Sequence, residues 1–94
     1  MLLFVINKSS NRVPELVGLL GGAKKKSLLL LGDAAWHASK GMVGKFKDLH
    51  LDKIYVSDNA VKAKGVPLDP GCSPVSYDEM IDLIMDEQYR VVNI

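Results

Sequence analysis

The residues of this sequence able to do chemistry are few and scattered. The one cysteine, Cys72, stands in Pro70-Gly71-Cys72-Ser73-Pro74. A thiol attacks or carries sulfur as an exposed thiolate, and a Pro/Gly loop before a fourth strand would present it at the surface. No His, Lys or Arg lies within five residues to lower its pKa, so any activating group must arrive through the fold. The alternative is an incidental, packed thiol. The second group is Asp33, Trp36 and His37. An imidazole can shuttle protons near neutral pH, a tryptophan more often anchors packing or a subunit contact, and an aspartate ahead of a helix more often caps it. Ser57 or Asp58 stands in the corresponding capping position after the third strand. Lys24-Lys25-Lys26 reads as a solvated turn at the opposite end, since three lysines fall short of a nucleic-acid tract.

Other constellations are missing. Asn7–Arg12 carries neither G-x-G-x-x-G nor G-K-[ST]. His37 and His50 with one cysteine give no zinc spacing, and there is no G-x-S-x-G elbow. These absences lower the case for a stand-alone enzyme, and no cofactor is expected.

Ninety-four residues make one domain, 1–94, with little interior to spare. A net charge of +1 offers nothing to a nucleic acid or an acidic membrane surface. No run approaches the roughly 20 apolar residues of a membrane span, and one cysteine permits no internal disulfide, so a cytoplasmic, reducing setting is expected.

The elements that must position these residues follow from apolar patterning. Leu28–Leu31 is apolar without alternation, as in a strand covered on both faces, and Gly32-Asp33 ends it. Open α/β sheets place binding groups at such carboxyl ends. Leu2–Ile6, Lys53–Ser57 and Tyr89–Ile94 read as further strands, with a very short one at Val75. A helix opens near Pro14 with Val13, Leu16, Val17 and Leu20 on one face, and stops at Gly21-Gly22. A second runs from Ala34 to about Phe46, weakened at Gly41 and Gly44. A short third spans Asn59–Lys64 and ends at Gly65. The fourth opens on the capping box Ser76-Tyr77-Asp78-Glu79, with Tyr77, Met80, Ile81, Ile84 and Met85 as its apolar stripe. Alternating strands and helices predict right-handed crossovers: a three-layer α/β/α sandwich on a mostly parallel five-stranded sheet.

Over its whole length the chain resembles the DsrE/DsrF/DsrH-like sulfur-relay proteins, most of all the DsrH/TusB branch. It starts directly on strand one and has the branch's small size. Leu28-Leu29-Leu30-Leu31-Gly32-Asp33-Ala34-Ala35 is similar to the branch's leucine-rich strand and aspartate-containing turn. Ile54-Tyr55-Val56 with Asp58 and Lys62-Ala63-Lys64-Gly65 is similar to its third strand and following helix, and Val75–Leu83 to its capped last helix. The resemblance implies the same α/β/α fold and a part in passing sulfane sulfur between proteins, as in tRNA wobble-uridine thiolation or dissimilatory sulfur oxidation. It implies TusC-like and TusD-like, or DsrE-like and DsrF-like, partners; self-association stays open beside them. The sequence departs from those members that carry a cysteine after strand one, since Asn7–Arg12 has none and Cys72 maps onto no family cysteine.

The reading is therefore a binding and assembly subunit, more a non-catalytic one than a sulfurtransferase. Asp33, Trp36, His37 and Ser57 would face a partner or ligand, and His37 could orient a partner's persulfide. Two alternatives remain: a persulfide carrier using Cys72, and a small-ligand crevice near Asn7, Asp33 and Ser57.

Overall fold

A computed structural model describes residues 1–46 and 49–94 of the chain. Five strands, β1 (Leu2–Ile6), β2 (Lys26–Leu30), β3 (Leu51–Ser57), β4 (Cys72–Val75) and β5 (Arg90–Asn93), form one sheet in the order β4-β3-β2-β1-β5. Every pairing is parallel. The leucine-rich strand lies in the middle, and all five residues of β2 are buried, as a strand covered on both faces requires.

Among the described residues, three α-helices connect the strands: α1 (Val13–Gly21), α2 (Asp58–Lys64) and α3 (Tyr77–Met85). The steps β1→β2→β3→β4 all travel in one direction across the sheet, so right-handed crossovers put their connections on one face. The return from β4 to β5 puts α3 on the other. Side-chain packing follows this division. Leu2, Phe4, Ile6, Leu28, Leu30 and Val56 meet Val13, Val17, Ala34, Ala35, Ala38 and Phe46. Leu3, Leu29 and Val75 meet Met80 and Leu83 of α3.

Four expectations need correction. The helix from Ala34 to Phe46 is instead two 3-10 segments, Gly32–Ala38 and Val43–Phe46. Between them the backbone turns outward to pair with the loop before β4: Ser39 bridges Leu68, Lys40 N–H donates to Pro67 O at 3.2 Å, and Asp69 N–H donates to Ala38 O at 2.9 Å. These bonds replace those that a continuing helix would make. In α1, Leu20 is exposed and the inward residues are Val13 and Val17. In α3, Tyr77, Ile81, Ile84 and Met85 face solvent, while Met80 and the unanticipated Leu83 touch the sheet.

The last correction concerns the lysine run. Lys24 and Lys25 are exposed, but Lys26 opens β2 fully buried. Its Nζ donates to Gly22 O at 3.0 Å and Leu49 O at 2.6 Å. A buried amine is tolerated when acceptors surround it, and here one acceptor closes the end of α1. Burial pushes its pKa down.

Candidate functional site

The expected site lies where β1, β2 and β3 end, in the turns Asn7–Asn11, Gly32-Asp33 and Ser57-Asp58. Gly32 takes φ +52°, a conformation open mainly to glycine, and this turns the chain sharply out of the sheet. Asp33 then points into solvent and does not cap the following segment. It pairs instead with Lys64 Nζ at 2.7 Å, tying the exit of β2 to the last turn of α2. Trp36 is 40% exposed beside it.

His37 and Ser57 face inward. The Ser57 hydroxyl accepts from Ala60 N–H at 3.3 Å and caps α2. Gly65 closes that helix in the left-handed conformation. His37 is fully buried; its ring meets Phe46 edge-on at 5.6 Å and 85°. Its Nε2 accepts the Ser10 N–H at 3.4 Å, which assigns the remaining proton to Nδ1. Nδ1 is buried and, among the described residues, has no hydrogen-bond partner. Burial, then the Lys45 charge, pushes the imidazole's pKa down, so His37 is neutral at pH 7. In this state it holds the Asn7–Asn11 turn from below and has no path to solvent. Sequence reasoning missed Ser10, Lys64 and Phe46, because each meets the site only through tertiary contact.

Three hollows are described on the surface. One, of about 560 Å3, is bordered by Met1, Leu2, Lys24, Lys25 and Arg90 at the amino ends of the strands. One of about 260 Å3 lies between α3 and the sheet, against Tyr55, Val75 and Leu83. The third, about 300 Å3, lies under the Val43–Phe46 segment. Asn7, Asp33 and Ser57 border none of them.

Cys72 does not sit in an exposed loop. It is the first residue of β4, 5% exposed, packed into the core on the helix-rich face. Pro74 can follow it in the strand because β4 is an edge. Burial, with a smaller contribution from the Asp69 charge, pushes the thiol up to about 11. At neutral pH it is an un-ionised thiol, a poor nucleophile and sulfur acceptor. No cluster of His, Cys, Asp and Glu able to hold a metal occurs among the described residues, nor does any helix among them have the length and apolarity to cross a membrane.

No family model matches the sequence, and no curated protein matches it. Among solved structures, the crystal structure of the YchN protein from E. coli is similar over 100% of this chain and 99% of its own, with a TM-score of 0.68 and 12% sequence identity. At that identity the likeness speaks for the fold alone. A five-stranded, all-parallel α/β/α sandwich, shared with YchN, is therefore the fold of this chain.

Proposed function

We propose that this chain is a non-catalytic subunit of a sulfur-relay assembly in the cytoplasm. It would meet DsrE-like and DsrF-like, or TusC-like and TusD-like, proteins through the carboxyl-end surface that carries Asp33 and Trp36. His37 and Ser57 act one layer down: the first holds the Asn7–Asn11 turn, the second caps α2, and Lys64 at the end of α2 holds Asp33. The DsrEFH-like fold supports a place in the relay. The observation that carries the non-catalytic part is Cys72, the one thiol of the chain, packed in the core and pushed up to about 11.

Intact-mass analysis after treatment with a polysulfide donor tests this. No sulfur adduct should form on the folded protein, and Cys72→Ser should leave sulfur transfer through a reconstituted relay unchanged. An adduct on Cys72 under native conditions, or a relay that stops when Cys72 is replaced, would make the chain a carrier instead. A Trp36→Ala variant that assembles with the relay proteins as well as the parent would remove the proposed surface.

A further inference from the structure

The outer side of α3 carries more apolar surface than its own sheet uses. At 100° per residue, Leu83, Met80, Ile84, Tyr77, Ile81 and Met85 sweep an arc of about 200°, where a single buried stripe needs about 100°. Met80 and Leu83 meet the sheet, and the rest is open: Tyr77 is 65% exposed and Met85 76%. Four apolar side chains side by side on one helix mark a contact surface. The remaining arc is acidic. Ser76–Tyr89 holds Asp78, Glu79, Asp82, Asp86 and Glu87 with no lysine or arginine, which leaves six acids elsewhere against all twelve basic residues.

The complement is present on the same chain. Leu19 and Leu20, at the end of α1, are 72% and 58% exposed. Four residues on, Lys24 and Lys25 join Arg90 around the 560 Å3 hollow, with Met1 and Leu2 completing its border. One patch is apolar with an acidic rim; the other sets exposed leucines close in sequence to basic residues, of which Lys25 also pairs with Asp52 at 3.6 Å. Two α3 helices facing each other would oppose their acids, whereas α3 against the basic patch pairs opposite charges. We propose that α3 of one copy docks on the Leu19, Leu20, Lys24, Lys25 and Arg90 surface of a second copy. Because the two patches differ, the contact is head-to-tail and builds a ring or an open chain, not a two-fold dimer. It names the surface for the self-association kept open beside relay partners, and it rests on no sulfur chemistry, so the polysulfide result and this one stand or fall separately.

Sedimentation of the full chain tests it. Assemblies larger than a dimer should form at low salt and dissociate about tenfold more readily near 1 M salt, where charge pairs are screened. Asp78→Lys with Asp82→Lys reverses one rim, and Lys24→Glu with Lys25→Glu reverses the other; all four residues are exposed. Each double variant should be monomeric alone with its circular dichroism spectrum intact, and mixing the two should restore assemblies containing both. Met85→Asp should prevent association without such rescue. A parent that stays monomeric, a parent that stops at a dimer, or reversed variants that fail to combine would each overturn the proposal.

Discussion

The two faces of the sheet are built differently. On the face of α1 and α2, fourteen buried residues of the described chain form one cluster, and it takes in side chains from four strands, α1 and the 3-10 segments. On the face of α3 the buried cluster is Leu3, Leu29 and Val75, backed by half-buried residues such as Val5, Leu31, Tyr55 and Val91. The strands themselves do not differ in kind: in β2, Leu28 and Leu30 point one way and Leu29 the other, and all are buried. Connectivity makes the difference. Three crossovers in one direction deposit their connections on one side, and one return crossover leaves a lone helix on the other. Five strands at about 4.8 Å spacing span about twice the width of one helix. A single helix therefore cannot cover the second face, and residues beside it stay half-exposed. The first face holds the fold together; the second is where further contacts are available.

Truncations on the two faces should separate these roles. Phe4→Ala removes a fully buried ring from the helix-rich face and should cost roughly 3–5 kcal/mol, enough to unfold much of a small domain at 25 °C. Leu83→Ala, half-buried under α3, should cost roughly 1–2 kcal/mol, since less packing and less cavity are involved. Urea denaturation of both variants gives the comparison; equal losses would show that the two faces share one core. Gly21→Ala comes between them. A Cβ at Gly21 would overlap the Lys26 side chain, and the displaced amine would lose acceptors at Gly22 O and Leu49 O. A loss of roughly 1–3 kcal/mol is expected, and Lys26→Met combined with Gly21→Ala should lose less than the two single changes added together.

Much of this architecture was legible in the sequence. The unbroken leucines of β2, the glycine-aspartate exit and the capping box at Ser76 each follow from local chemistry, and each is present in the fold. Strand order was not legible, because it depends on which edge β5 joins, and Tyr89–Ile94 gives no hint that it pairs with β1. Which helix would stand alone on the second face was not legible for that reason. Cys72 misled for another: Pro70 and Gly71 signal a loop, but the edge-strand register that draws Cys72 beside Ile54 is a tertiary fact. Lys26 reads as one of three equal lysines until the carbonyls of Gly22 and Leu49 converge on it. In α3, periodicity marks a wide apolar arc without saying which part meets the sheet, and half of the candidate site shares this limit, since whether His37 points in or out turns on the 3-10 path after Gly32.

Disturbing the cap of α3 gives a smaller effect, confined to the second face. Ser76 Oγ accepts the Glu79 N–H at 3.2 Å, and Glu79 Oε1 accepts the Ser76 N–H at 3.0 Å. Ser76→Ala should cost roughly 1 kcal/mol. Hydrogen exchange should accelerate in α3 and leave β2 unchanged if the two faces open separately. The bonds with Ser76 hold the Glu79 carboxyl below its usual range. Its support is therefore present above the unfolded-chain value and fades as acid protonates it.

The smallest expected effect belongs to His37, on the first face, and is visible mainly as a pH dependence. Burial, then Lys45, holds its folded pKa below the ordinary 6.5. The other groups in view, Phe46 against its ring and the Ser10 N–H on Nε2, are uncharged. Below about pH 6.5 the unfolded chain takes up a proton that the folded chain refuses, which favours unfolding. Stability should therefore decline as pH falls from 6.5 toward the lower folded value and level off beneath it. His37→Leu takes a closely similar volume without a titrating group. At pH 7 it should cost at most about 1 kcal/mol for the lost Ser10 bond, and its thermal stability should change less than the parent's between about pH 5 and 6.5. If parent and variant showed the same slope there, His37 would have to be hydrated or paired in solution, and the tightness of the helix-rich face would not extend to its carboxyl-end rim.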